Sequence, residues 1–179
     1  MDRYVALLRG VNVGSTRIAM ADLRRLVAAL GHEDVRTYVQ SGNVVFASDA
    51  GDADHLAAGI ERAIADELGL TVPVLVRSAR ELAAVTAGNP YADRESDPTR
   101  LLVVFLGSTP DRSAVASLGV PRGENMSFTV TGRELYLHFP DGGYGRSKFT
   151  NTYVEKALGV VATTRNWKSV RTLAEMAAA

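Results

Sequence analysis

The order strand–helix–strand–strand–helix–strand is predicted twice along this chain, and it restricts the fold more than any other feature. In the first half, apolar and β-branched runs at residues 4–8, 35–40, 44–47 and 72–77 predict four strands. Apolar residues at helical spacing over 20–30 and 56–68 predict the two helices between them. This order is the split βαβ pattern of a ferredoxin-like unit.

The second half repeats the pattern with a strand at 101–106, a helix between Thr109 and Gly119, and an alternating hairpin over 126–139. A helix at 152–159, a strand at 160–164 and a last helix capped by Asn166 complete it. We therefore predict an α+β protein of two tandem ferredoxin-like (split βαβ) units with antiparallel sheets, plus a C-terminal helix. The repeat is one of architecture, because the two halves show no convincing residue-level similarity.

Residues 88–99 carry two prolines and four charges, which is typical of a linker. We predict domains at 1–88 and 100–179 on either side of it, and we interpret its acidic residues Asp93, Glu95 and Asp97 as solvated. The runs at 4–8 and 101–106 are apolar on both faces, and such strands need cover on both sides. The second face of each sheet is therefore predicted to be covered, by the other half of the chain or by a second subunit.

Composition excludes several classes of function. The 179 residues have zero net charge, so any contact with nucleic acid or membrane must come from a local patch. The absence of cysteine excludes disulfides, thiolate nucleophiles and cysteine-ligated metals. The longest aliphatic and aromatic run, 101–106, is far shorter than the ~20 residues of a membrane span, and we expect a cytoplasmic protein. The three histidines have no metal-ligand spacing, so no metal site is predicted, and no Ser/His/Asp set can be assembled.

Six segments together resemble one known family, the bacterial domain of unknown function 1697. They are YVALLRGVNVG (4–14), MADLRRLVAALG (20–31), VRTYVQSGNVVF (35–46), VPVLVRSAREL (72–82), GRSKFTNTYVEKALG (145–159) and TTRNWKSVRTLAEMA (163–177). The resemblance spans nearly the whole chain and implies an α+β fold with a ferredoxin-like first half. It implies no activity and no catalytic residue.

Two loops of the second half, 142–148 and 163–168, form what we call the basic corner. They follow strands three and four of that half, which run parallel in this topology, so both loops leave the sheet at the same edge. Residues 146–171 include six basic residues, among them all three lysines of the chain, and one acidic residue. Each loop leads into a helix, whose N-terminus attracts anions. The predicted anion- or phosphate-binding residues are Arg146, Ser147, Lys148, Arg165, Asn166 and Lys168. Alternatively, Arg165 and Asn166 hold the last helix in place and Trp167 is a core residue.

A second polar cluster is predicted in the first half, where strand one ends beside the turn between strands two and three. Its members are Arg9, Asn12, Gln40, Ser41 and Asn43. The glycine loop at 10–16 is not a P-loop, because its spacing is short and it has no lysine. Two interpretations stay open, a ligand site or side chains that bond the loop backbone.

Three hypotheses of function follow. The leading one is a cytoplasmic protein that binds a phosphate-bearing ligand, a nucleotide or a nucleic-acid backbone, at the basic corner. The second is an enzyme acting on a small anionic substrate, and the third is a protein-interaction module without a small ligand. RNA recognition on the sheet face is disfavoured, because Val44 and Val45 stand where such sheets carry stacking aromatic residues. No cofactor is assigned.

Overall fold

The computed structural model describes all 179 residues, which form eight strands, six α-helices and two short 3-10 helices. The chain divides into two compact units. One contains Met1–Ala84 together with Thr172–Ala179, and the other contains Val85–Arg171. The predicted domain boundary at residues 88–99 concerns independent folding and stays a prediction.

The first unit is a ferredoxin-like fold. Its elements are β1 (Asp2–Leu8), α1 (Met20–Ala29), β2 (Glu33–Thr37), β3 (Asn43–Ser48), α2 (Ala53–Leu68) and β4 (Val74–Ser78), and α3 (Ala79–Ala87) follows directly. The strand order is β2-β3-β1-β4, with β1 antiparallel to both β3 and β4. Asp52 caps α2 by accepting from the N–H groups of Asp54 and His55, and Gly69 ends it in the left-handed conformation.

The second unit has the same architecture. Its elements are β5 (Leu101–Leu106), α4 (Arg112–Ser117), β6 (Ser127–Thr131), β7 (Glu134–His138), α5 (Asn151–Leu158) and β8 (Ala162–Asn166). The last helix, α6 (Trp167–Ala178), begins in this unit, and its residues from Thr172 onward belong to the first unit. The strand order is β6-β7-β5-β8, all antiparallel, so β5 and the hairpin lie in one sheet as predicted. The prediction of two tandem ferredoxin-like units is confirmed.

Both faces of the central strand β1 are buried. Tyr4, Ala6 and Leu8 pack with the helices in one hydrophobic core. Val5 and Leu7 point to the opposite face of the sheet, yet each has an exposed fraction of 0%. The prediction that both faces of residues 5–8 are buried is therefore confirmed.

The two units share a residue-level correspondence that the sequence does not reveal. Glu61 of α2 accepts a hydrogen bond from the N–H of Val74 at 2.8 Å, and Glu155 of α5 accepts one from the N–H of Ala162 at 3.1 Å. In both units a helix carboxylate thus holds the first residue of the fourth strand. The strands also match, because buried Arg77 lies opposite Val5 and buried Arg165 lies opposite Val103.

Candidate functional site

The second segment of the basic corner, residues 163–168, is not the predicted loop, because β8 extends to Asn166 and α6 begins at Trp167. Both β7 and β8 are antiparallel to β5 and hence parallel to each other, so their C-terminal ends lie at one edge of the sheet. The hydroxyl of Thr164 in β8 donates to Asn151 Oδ1 in α5 at 2.7 Å. Burial raises the pKa of the Tyr144 hydroxyl on loop 142–148, and the neighbouring Thr164 and Arg165 act in the opposite direction. The predicted topology therefore places the ends of β7 and β8 at the same edge.

Arg165 is a buried residue of this edge rather than an exposed cation. Its exposed fraction is 7%. Its Nη1 donates to Thr163 Oγ1 at 2.8 Å and to the carbonyl oxygen of Thr164 at 3.0 Å. Burial lowers the pKa of Arg165 to about 10, while the nearby Tyr144 acts in the opposite direction. The guanidinium therefore stays charged at neutral pH, held by the strand it belongs to.

Ser147 and the backbone of Lys148 are bound by a carboxylate that the sequence argument did not consider. The Ser147 hydroxyl donates to Glu124 Oε2 and the Lys148 N–H donates to Glu124 Oε1, both at 2.9 Å. These bonds, that of Lys148 first, lower the pKa of Glu124 below its ordinary value. No local pattern indicates this contact, because Glu124 lies more than 20 residues upstream of the loop.

The helix N-termini at the basic corner are capped by the chain itself. Asn166 Oδ1 accepts from the N–H of Ser169 at 2.9 Å, so its predicted capping of the last helix is confirmed. Thr150 caps α5 by accepting from the N–H of Tyr153 at 3.1 Å, so this helix begins one residue before the predicted start at 152. Trp167 is buried, as a core residue would be.

Three cationic side chains of the basic corner are exposed and form no salt bridge, although the charge of one of them, Lys148, contributes to the lowered pKa of Glu124. They are Arg146 and Lys148 on the first loop and Lys168 in the first turn of α6. Two further exposed basic residues, Lys156 and Arg171, lie nearby in sequence. Like charges brought together at one edge of a sheet favour contact with an anion from solution.

The polar cluster of the first unit holds two loops together. Asn12 Nδ2 donates to the carbonyl oxygens of Ile18 at 3.0 Å and Gln40 at 2.7 Å, and its Oδ1 accepts from the N–H of Ile18 at 3.0 Å. Fully buried Asn43 donates to Tyr38 O at 3.0 Å and to Ser41 Oγ at 2.9 Å. Topology therefore brings this cluster together as predicted, and its amides bond loop backbone.

The turn in this cluster explains why β2 is shorter than its apolar run. Val39 has φ of +50°, a left-handed conformation that β-branched residues rarely adopt. Strand geometry therefore ends at Thr37, although residues 35–40 read as a strand. Val39 is also half exposed. Arg9 is only partly buried at the same edge, where its N–H donates to Pro73 O at 2.9 Å.

Glu95 and His138 form a hydrogen-bonded pair in the second unit, and the prediction that Glu95 is solvated is wrong. Glu95 Oε2 lies 2.9 Å from His138 Nε2, and the two side chains are 11% and 17% exposed. Glu95 Oε1 also accepts from the N–H of Asp97 at 3.0 Å. Nearby, the Tyr91 hydroxyl lies 2.9 Å from Thr129 Oγ1. These contacts fasten the segment before β5 onto the β6–β7 hairpin, so Tyr91 and Glu95 are packed while Asp93 between them stays exposed.

Glu95→Gln is expected to destabilise the protein near neutral pH and to matter less in acid. The bond to His138, then that to the Asp97 N–H, holds the pKa of Glu95 below its ordinary value of 4.5. A lowered carboxyl pKa contributes stability above the unfolded value, and this contribution is lost as pH falls through the folded value. Urea unfolding of both proteins near neutral pH and at about pH 3 measures the difference. Asp93→Asn, an exposed change in the same segment, is the control. If the difference in unfolding free energy between wild type and Glu95→Gln is the same at both pH values, the role assigned to Glu95 is wrong.

No group of three or more His, Asp or Glu side chains is placed to hold a metal ion. None of the helices combines the length and apolar character needed to span a membrane.

The comparisons with known proteins identify the family. A model described as "Protein of unknown function (DUF1697)" matches residues 1–136. The chain belongs to this family. It is also similar in structure to the conserved bacterial protein SP0830 from Streptococcus pneumoniae, with a TM-score of 0.77 and 25% sequence identity over 100% of this chain and 99% of that one. Comparison with curated proteins finds no match. The structure of this neighbour agrees with the fold described above, and neither the family nor the neighbour brings an activity with it.

Proposed function

We propose that this member of the family binds a phosphate-bearing polyanion, the backbone of a nucleic acid, through the basic corner. The observation that carries the proposal is the set of exposed cations Arg146, Lys148 and Lys168, which form no salt bridge and follow two strands, β7 and β8, that end at the same edge of the sheet. Phosphate contacts of this kind depend on charge and carry no sequence information of their own.

The contacts around these cations favour a polyanion over a compact nucleotide phosphate. A nucleotide site typically offers free backbone N–H groups at a helix N-terminus. Here the Lys148 N–H and the Ser147 hydroxyl bind Glu124, and both helix N-termini are capped internally. The groups left for a ligand are long, exposed side chains, which suit successive phosphates along a strand. Arg165 and Asn166 support the loops in this proposal, and the long side chains make the contacts.

The triple variant Arg146→Ala/Lys148→Ala/Lys168→Ala tests the proposal. Fluorescence anisotropy with a labelled single-stranded oligonucleotide at several salt concentrations measures the affinity of each protein. We expect the variant to bind at least ~tenfold more weakly at low salt, and its log–log salt slope to be smaller by about 2, since each lost contact to a single strand removes about 0.7. Arg165 is left unchanged in this variant. Removing its buried guanidinium could unfold the protein, and a loss of binding could then not be assigned to a lost contact.

The matched control is Arg62→Ala/Arg112→Ala/Arg122→Ala, which removes the same charge from exposed positions elsewhere. Its affinity is expected to stay close to that of the wild type. If both triple variants lose the same affinity for the oligonucleotide, the effect comes from net charge alone and the basic corner is not the binding site. Absence of oligonucleotide binding at low salt would overturn the function itself. If mononucleotides bind more tightly than oligonucleotides, the ligand is a nucleotide or a small anionic substrate and the proposal of a nucleic-acid backbone is wrong.

A further inference from the structure

The sheet of the second unit has a free edge along β6. This strand lies at one end of the order β6-β7-β5-β8, so only one of its sides is paired. Its residues have the sequence SFTVT, and all of them are half-buried or exposed. No backbone hydrogen bond reaches them from outside the sheet. The unpaired N–H and C=O groups of such an edge are a template on which another strand can pair.

The other three edge strands of the protein are protected from such pairing. Strands β4 and β8 are mostly buried. Strand β2 occupies the place of β6 in the first unit, and its register shifts between Glu33 and Arg36, where Asp34 has φ of +49°. Three of its five residues are charged. Bulges and charged side chains prevent edge-to-edge pairing in many proteins, and β6 has neither.

The hydrogen bonds of β7 show which of its residues bond each neighbouring strand. In an antiparallel ladder, pairs that exchange hydrogen bonds alternate with pairs that do not. On the side of β5, the Leu106 N–H donates to Arg133 O at 2.8 Å, and the Phe139 N–H donates to Arg100 O at 2.9 Å. The odd-numbered residues of β7 therefore bond β5, and its even-numbered residues bond β6.

This alternation determines which backbone groups of β6 point away from the sheet. The even-numbered residues of β7 lie opposite Ser127, Thr129 and Thr131, so these three residues bond β7. The N–H and C=O groups of Phe128 and Val130 consequently point outward, along the free edge.

The outward groups of β6 are complementary to a second copy of the same strand. With Thr129 on a two-fold axis, Phe128 of each copy lies opposite Val130 of the other. Both pairs have outward N–H and C=O groups, so each pair exchanges two hydrogen bonds. An aromatic side chain opposite a β-branched one is a favourable cross-strand pair. Ser127 then lies opposite Thr131, so no like charges meet, and a shift by two residues would leave part of each β6 without a partner.

We propose that two copies of this protein associate by antiparallel pairing of their β6 strands. The two four-stranded sheets of the second units then form one continuous sheet. The occupant is a second copy because the complementarity uses only residues of β6 itself. An interface built on one five-residue strand is small, so the association is reversible and depends on protein concentration.

Sedimentation equilibrium over a concentration series, together with amide hydrogen exchange measured by NMR, tests the pairing. The average mass is expected to rise from that of one chain toward that of two. Over the same series the amides of Phe128 and Val130 are expected to exchange more slowly, whereas the Thr129 amide, which bonds β7 in either state, is the internal reference. A protein that stays monomeric at the concentrations used for NMR overturns the proposal. Association during which the Phe128 and Val130 amides keep exchanging freely also overturns it, because another surface then forms the dimer.

Two double variants with equal numbers of charged substitutions test the register. Ser127→Lys/Thr131→Lys places like charges opposite each other at both ends of the paired strands, and is expected to raise the dimer dissociation constant at least ~tenfold. Ser127→Glu/Thr131→Lys places opposite charges there and is expected to associate at least as tightly as the wild type. Both positions are exposed in a single copy, and a wild-type circular dichroism spectrum establishes that each variant is folded. Equal dissociation constants for the two variants would overturn the proposed pairing.

Discussion

Replacing Leu7 with alanine is expected to lower the free energy of unfolding by about 2–5 kcal/mol, as for other large-to-small changes in protein cores. Leu7 lies in β1, the strand that pairs with both β3 and β4, and its exposed fraction is 0%. Its side chain is on the sheet face opposite the α1–α2 core, so the loss measures how tightly that second face is packed. Urea denaturation followed by far-ultraviolet circular dichroism gives the free energy.

Val13→Ala is the matched control for Leu7→Ala. Val13 is 63% exposed in the loop after β1. Its truncation is expected to change stability by no more than ~0.5 kcal/mol. A loss below ~1 kcal/mol for Leu7→Ala would mean that the second face of the sheet is open to water in solution, since truncating an exposed aliphatic side chain costs little.

Gly42→Ala is expected to cost about 2–5 kcal/mol, from two sources that add. Gly42 has φ of +81°, where a side chain is strained. A Cβ at this position would also lie 2.8 Å from Leu8 Cβ and 3.4 Å from Val11 Cβ. The backbone cannot easily move away, because Gly42 O accepts from the N–H of Leu8 at 2.9 Å. The turn that Asn12 and Asn43 hold together therefore has no room for a larger residue.

Gly69→Ala separates the two sources. Gly69 ends α2 with φ of +66°, and a Cβ there would have no neighbour within 4 Å. This variant should show only the conformational cost of about 1–2 kcal/mol. If Gly42→Ala lowers the free energy of unfolding by no more than Gly69→Ala does in the same denaturation experiment, Gly42 does not lie as close to Leu8 as the structure indicates.

The sequence determined the fold because its signals are local and periodic. Alternation, helical spacing and capping residues placed nearly every element, and Asn166 caps the last helix as its sequence context indicates. The two-faced apolar character of β1 also predicted that both faces of its sheet are buried. Topology then followed from element order, which is why the shared edge at which β7 and β8 end could be predicted.

Only the tertiary structure decided which polar groups remain for a ligand. Glu124 binds Ser147 and the Lys148 N–H from more than 20 residues away, and Glu95 binds His138 from 43 residues away. Such pairings depend on where strands and loops meet in space, and no spacing in the chain encodes them. The sequence determines which side chains are present, but long-range packing determines which of them remain free to bind a ligand.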